Sequence, residues 1–327
     1  MAGGPSTPEL AAAVGAAGGL GFVAAGYRSA AQVAEDLART RALTEAPFGV
    51  NLFVPQGSVA SAERLAAYAE EVRGDAERLG VGLGNPHADD DGWAAKLGVV
   101  ERARPAVVSF TFGAPGAEVV ERLKGRGILV VLTVTSVAEA SAAVALGADA
   151  LCVQGPEAGG HRATFDPVGM PPDEPLDVLL RRVVAATEVP VLAAGGLAGP
   201  ADVERVLDAG AVAAQVGTAF LLADEAGTRR THGEALVSKE FGGTAVTRAF
   251  SGRYARGLLN DFMRDHDPTA PPGYPEVNQL TGPLRRAAAD VGDPHRLHLW
   301  AGTGFRGAVA EPAADIVAAL APRRAGR

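Results

Sequence analysis

The first two-thirds of the chain alternate short apolar runs with longer stretches whose apolar positions recur at helical spacing. The runs, rich in Val, Leu, Phe and Ala, cover residues 20–25, 48–54, 106–112, 128–135, 148–153, 190–194 and 211–220. Uninterrupted apolar runs of this length predict strands covered on both faces, as in a parallel sheet. Between them the pattern predicts amphipathic helices over 117–124, 137–146, 176–187 and 200–208. Ser136 followed three residues later by Glu139 reads as a capping box. Pro200 stands at a first helical position, and Gly147 and Gly210 stand where a helix wants a left-handed stop.

Repeated strand-then-helix units with short connections predict an α/β fold of the (β/α)8 TIM barrel kind. An open doubly wound sheet is the alternative. Only seven strands are legible. Met1-Ala2-Gly3-Gly4 reads as the loop leaving a strand, so the first strand is expected to be missing or truncated. After residue 223 the rhythm is lost. We expect a barrel over 1–223, a smaller inserted domain, mostly helical and loop, over 224–301, and a C-terminal segment over 302–327 whose helix at 312–320 returns to the barrel.

Composition removes several function classes. The chain has 327 residues, 47% hydrophobic and 21% charged, as in soluble globular proteins. A net charge of −8 gives no general attraction to nucleic acid or to anionic membranes. No run is apolar enough to predict a transmembrane helix, and no basic start leads into a leucine-rich core, so the default expectation is a cytoplasmic protein. The single cysteine, Cys152, has no partner for an internal disulfide.

In a parallel barrel the chemistry comes from loops at the C-terminal ends of strands. The last two predicted strands end at Gly195-Gly196 and at Gln215-Val216-Gly217-Thr218, the usual place for a phosphate held by bare backbone N–H groups. The bland reading of these glycines is tight turns alone. The preceding strand leads into Gln154-Gly155-Pro156-Glu157-Ala158-Gly159-Gly160-His161. A histidine beside two glycines in a strand-end loop is a catalytic candidate, since its ordinary pKa of about 6.5 suits proton transfer. Asn51 and Gln154 set amides among apolar neighbours, where a flavin ring edge or neighbouring loops would satisfy them. His87 lies in a polar turn, and the aspartates 89–91 beside it read as solvated surface. No metal-ligand spacing, dinucleotide fingerprint or P-loop is present, so no metal site is expected.

Taken together, residues 18–22, 47–53, 109–113, 154–161, 193–196, 215–220 and 247–253 resemble the nitronate monooxygenase family, with Gly159-Gly160-His161 the most specific part. The resemblance implies non-covalent FMN in the barrel, with an α/β insertion next to it. It implies flavin contacts from Asn51, Gln154, Gly159, Gly195, Gly196, Gln215, Val216, Gly217 and Thr218, and His161 as the active-site histidine. It also implies oxidation of alkyl nitronates, such as propionate 3-nitronate, by oxygen to a carbonyl compound and nitrite. The same loop occurs in NAD(P)H:quinone reductases and enoyl-acyl carrier protein reductases, which are the alternatives, with a non-catalytic flavin-binding protein a third. Ala163 and Thr303 stand where members often have glycine and glutamine. The sequence leaves a homodimer open.

Overall fold

A computed structural model of the chain describes residues 1–322; the last five residues of the expected C-terminal segment lie outside it. Ten strands are present among the described residues: β1 (Gly21–Ala24), β2 (Phe48–Phe53), β3 (Val107–Thr111), β4 (Leu129–Val134), β5 (Ala150–Gln154), β6 (Gly160–His161), β7 (Val191–Ala194), β8 (Ala213–Gln215), β9 (Thr244–Thr247) and β10 (Ala255–Leu258). Seven form one parallel sheet in the order β1-β2-β3-β4-β5-β7-β8, with helices between successive strands. This is the barrel-type sheet with seven of its eight strands. β1 and β8 are its two edges.

All seven apolar runs contain a strand, because the sheet is covered by helices outside and filled inside. Val50, Val108, Val130, Leu132, Leu151 and Val153 are fully buried against the helices. Val107, Val131, Cys152 and Ala194 form the smaller inner cluster. Burial pushes the Cys152 thiol up to about 12, which leaves it an inert core residue. The last run is mostly not strand: β8 covers three residues, and Thr218–Phe220 turns into a 3-10 helix. Gly217 and Thr218 pull the chain out of the ladder there.

Helix ends follow the local chemistry with one exception. Pro200 opens its helix, and Gly147 and Gly210 adopt φ of +84° and +103° after theirs. Ser136 accepts the Glu139 N–H, but Glu139 does not reach back to complete the box. Its carboxylate accepts the Thr135 N–H and hydroxyl and, across the fold, the Phe165 N–H at 2.7 Å. Three donors, one of them long-range, outcompete the single local one.

The 224–301 segment, read as mostly helix and loop from its rhythm and as α/β from the resemblance, holds a sheet. β9 and β10 pair antiparallel, and β10 pairs with β6, so the loop carrying His161 is the third strand of that small sheet. The helix Ala62–Arg78 shares a core with this region: Tyr68, Val72 and Ala76 pack with Phe250, Phe262, Val277 and Leu284. Helix Ala313–Leu320 packs on helix Pro8–Ala16, at the open side of the sheet. No described helix is long and apolar enough to cross a membrane, and no group of three or more His, Cys, Asp or Glu among the described residues is placed to hold a metal.

A buried ionic cluster fastens Ala62–Arg78 to its neighbours. Asp75, 4% exposed, accepts from His266 Nε2 at 2.6 Å and from Arg296 Nε at 2.5 Å, while His266 Nδ1 meets Glu71 at 3.0 Å. Burial works against ionising both groups, but the hydrogen bonds win. Asp75 is held down to about 2, and His266 is raised above its ordinary value by Asp75 and Glu71. The raised histidine adds stability in full below about pH 6.5, lost as pH climbs through its folded pKa; Asp75 adds stability above about pH 4, lost as pH falls toward 2. His266→Ala leaves a buried carboxylate short of a partner and is expected to cost about 3 kcal/mol near pH 6. Urea unfolding at pH 6 and pH 9 checks this: the gap between native and variant narrows at pH 9, and an equal gap at both contradicts the assignment.

Candidate active site

Three loops at the C-terminal ends of the strands close on one another and on the 302–303 segment. Gly195 (φ +127°) and Gly196 (φ +68°) lie against the 155–158 loop: a Cβ on Gly195 falls 3.1 Å from Ala158 N, and one on Gly196 falls 2.9 Å from Glu157 Cβ. Gly302 donates its N–H to Thr218 Oγ at 3.0 Å, and Thr303 donates to Glu157 O. Gly159, Gly195, Gly196 and Thr218 are thus brought to one place, with Gly302 and Thr303 beside them. The backbone N–H groups of Gly195, Gly196, Gly217 and Thr218 have no acceptor among the described residues. Bare N–H groups around glycines in left-handed conformations fit an anionic phosphate. Gly159 has a packing reason of its own, since a Cβ there lies 2.4 Å from Gly302 N.

The amides are divided. Gln154 donates to His161 O at 3.1 Å and accepts the Ala163 N–H at 2.9 Å, so both of its ends hold the histidine loop. Asn51 donates to Ser109 Oγ and Thr111 Oγ1, both at 2.9 Å, and its Oδ1 accepts from no donor among the described residues. Gln215 is exposed at the end of edge strand β8, with Val216 half-buried beside it.

His161 lies in an aromatic shell rather than in a free loop. Its ring centroid is 5.5 Å from Phe112, 5.7 Å from Tyr274 and 5.5 Å from Trp300. β6–β10 pairing, His161 opposite Ala255, fixes its backbone. Its Nε2 meets Ser251 Oγ at 2.9 Å. Ser251 Oγ also stands 3.0 Å from Arg253 O, which can take its hydroxyl proton, and in that arrangement Oγ accepts from the ring. That arrangement puts the ring proton on Nε2 and the lone pair on Nδ1. The ordinary pKa expected from sequence does not survive: burial, then the charges of Arg253 and Arg285, push it down to about 3. The ring is neutral at every ordinary pH.

Beyond Phe112 and Tyr274 opens a cavity of about 400 Å³, also bordered by Tyr27, Phe53, Gln56 and Asn278. Tyr27 (φ +65°), Asp91 (φ +56°) and Phe112 (φ +78°) are three of the four non-glycine residues with left-handed backbone among the described residues, and all three line it. Strain of this kind persists only where its surroundings enforce it, and it clusters at functional sites. The Asp91 carboxylate does part of the enforcing: it accepts the Tyr27 N–H at 3.1 Å and pairs with buried Lys96 at 2.7 Å. The aspartate run is therefore only partly solvated surface. Asp89 and Asp90 are exposed turn-formers; Asp91 is structural. Ser251, Tyr27, Tyr274 and Gly302 carried no role in the sequence, although Ser251 stands in a stretch shared with the family. The others come from segments separated along the chain and have no local signature.

A family model described as nitronate monooxygenase matches residues 1–323. A probable nitronate monooxygenase of Staphylococcus aureus (strain JH9) is 35% identical over 323 residues, covering 96% of this chain and 90% of that protein. The crystal structure of nitroalkane oxidase from Streptomyces ansochromogenes is 47% identical with a TM-score of 0.94, covering 98% of this chain and 92% of that one. FabK from Thermotoga maritima is 26% identical with a TM-score of 0.74, over 98% and 89% of the two chains. The chain is an oxidoreductase and belongs to the nitronate monooxygenase family.

Proposed function

We propose that this chain is an FMN-dependent nitronate monooxygenase, which converts alkyl nitronates such as propionate 3-nitronate, with oxygen, to a carbonyl compound and nitrite. The observation that carries the reading is His161: an imidazole whose Nε2 meets Ser251 Oγ at 2.9 Å, set among aromatic rings beside a strained aromatic cavity. The glycine cradle of residues 195–196 and 217–218 fits the phosphate of FMN, and Asn51 Oδ1 remains free to accept from a ring N–H. Bound FMN would supply the electron-accepting chemistry that no side chain of this protein provides. His161 does the rest locally. Its Nδ1 can take a proton from carbon when a neutral nitroalkane is offered, or receive a hydrogen bond, without carrying charge of its own.

Ser251 is a positioning residue in this scheme, because it selects the tautomer and stays off the reacting atoms. The cavity past Phe112 and Tyr274 gives the alkyl part of the substrate an apolar wall close to the ring. We also propose a division of the chain into the barrel 1–223, the inserted domain 224–301 and a returning C-terminal segment. Helix Ala62–Arg78 then belongs to the barrel in sequence while packing in the inserted domain's core.

His161→Ala is expected to retain bound FMN while lowering turnover by about 100-fold or more; undiminished turnover removes His161 from the mechanism. Ser251→Ala, read by the ratio of rates on neutral nitroalkane and preformed nitronate, is expected to fall about tenfold on the nitroalkane and less on the nitronate. Because the base is the neutral ring, its activity is fully present above its pKa and lost only as pH falls toward about 3. Rates on nitroalkane between pH 5 and pH 8 should therefore show no acid limb from His161. A limb near pH 6.5 contradicts the burial argument. Oxygen uptake by the FMN-loaded protein given propionate 3-nitronate, with NADH in a parallel cell, tests the function itself. Uptake with nitrite release supports it, whereas flavin bleaching by NADH with no response to the nitronate assigns the reaction to the reductases.

A further inference from the structure

The cavity beyond Phe112 and Tyr274 opens at the C-terminal ends of β1, β2 and β3, the face on which a parallel barrel carries its chemistry. Its wall holds four rings packed one on the next in a closed sequence. Between centroids, Tyr27 lies 5.5 Å from Phe53, Phe53 4.5 Å from Phe112, Phe112 5.4 Å from Tyr274, and Tyr274 6.5 Å from Tyr27. His161 does not line this space. Phe112 and Tyr274 do, and each also packs on the imidazole, at 5.5 and 5.7 Å. These two rings are the partition between the histidine and the cavity, so a tail that runs past them from a head held at His161 enters it.

Charge is placed unevenly around this wall. Asp89, Asp90 and Asp91 all border the cavity, while Arg28, the one cation lining it among the described residues, pairs with Asp36 at 2.8 Å. Asp91 is answered by Lys96 at 2.7 Å. Asp89 and Asp90 are exposed and meet no cation among the described residues. Each is nonetheless fixed in place, because its Oδ1 accepts a turn N–H: Asp89 from Asp91 at 2.8 Å, Asp90 from Gly92 at 3.0 Å. Arg253 and Arg285, neither in an ion pair among the described residues, do not line the cavity. They donate from behind it to Gln56 Oε1 at 2.5 Å and Asn278 Oδ1 at 2.8 Å. The solvent end of the space is therefore negative and its wall largely apolar. An uncharged tail gains from the wall without opposition. A carboxylate there meets like charges at a range that salt screens only in part, the Debye length being about 8 Å at physiological ionic strength.

We propose that this cavity takes the tail of the substrate and that Asp89 and Asp90 set the class of tail, admitting uncharged apolar ends in preference to ends that carry a carboxylate. This rests on the reading of the chain as a nitronate monooxygenase with His161 at the reacting centre, and it orders the substrates that reading allows. An alkyl nitronate ending in a methyl group ranks above propionate 3-nitronate, whose carboxylate faces the rim. Asp89 and Asp90 touch no reacting atom; they are specificity-determining through their charge at the mouth. Exposed charges act weakly one by one, so the discrimination is a few-fold and depends on salt.

The test is binding to the FMN-loaded protein, read by perturbation of the flavin absorbance, of two probes that share a head and differ at the tail: 4-methyl-4-nitropentanoate and its methyl ester. The nitro carbon of each bears no hydrogen, so neither forms a nitronate and neither is turned over. The native protein is expected to bind the ester about fivefold more tightly than the carboxylate at low salt, with the gap narrowing as ionic strength rises to about 0.5 M. Asp89→Asn with Asp90→Asn keeps the turn acceptors and removes the charge, and should bring the carboxylate to within about twofold of the ester without weakening the ester. A carboxylate that binds the native protein as tightly as the ester overturns the proposal, whether or not the variant folds. So does a gap that salt leaves unchanged, or a double variant that loses both probes alike, which marks the two aspartates as scaffold for the turn. Failure of both probes to bind removes the cavity as a tail site. Because neither probe reacts, a protein that ranks them as expected yet leaves nitronates unoxidised keeps this inference and loses the proposed reaction.

Discussion

The pairing of β6 with β10 is the contact on which the site depends. Two residues of each strand, with the Arg162 N–H to Tyr254 O bond continuing the ladder at 2.8 Å, tie a loop of the barrel to the segment after it. A two-residue strand is marginal alone, and this one persists because its neighbours leave little else for the backbone to do. Gln154 clamps the loop from the barrel side, and the Arg253 guanidinium clamps it through Arg162 O and Thr164 O from the other. The backbone of His161 is thereby held in place, and Ser251 orients its ring. The ring is free to be chemically neutral and singly hydrogen-bonded.

Electrostatics and packing act on that ring in the same direction. Phe112, Tyr274 and Trp300 pack around it, and the two arginines disfavour a second positive charge beside them. A solvent-exposed histidine would titrate near neutrality; this one cannot. The contrast with His266 is instructive, because that histidine is also buried. Two carboxylates face it, and its proton is held more tightly than usual. Burial alone does not decide a histidine's charge; the sign of its nearest partners does.

Backbone strain is concentrated in the same neighbourhood. Tyr27 and Phe112 adopt left-handed backbone at a cost of order 1 kcal/mol or more each, and both place aromatic rings on the cavity wall. The Asp91–Lys96 pair, with Lys96 only 1% exposed, supplies a rigid acceptor for the Tyr27 N–H. The acidic run at 89–91 thus combines two solvated turn residues with one that supports the site.

Much of the fold was legible because it follows from short-range regularities. Apolar runs of five to ten residues, separated by helical periodicity, identify covered parallel strands, and Gly147, Pro200 and Gly210 mark helix ends through backbone geometry that only the local sequence sets. The glycines at 195–196 and the histidine at 161 were legible for the same reason, as departures from those regularities at strand ends. What the sequence could not determine is whatever depends on partners distant in the chain. Glu139 left its capping box for Phe165, β6 existed only once β10 lay beside it, and Ser251 meets a histidine ring 90 residues away. The fall of the His161 pKa and the unpaired state of Arg253 and Arg285 are of this kind too. Hydrogen bonds and Coulomb interactions act through space, and a side chain's solvation and partners are decided only when the tertiary structure closes around it.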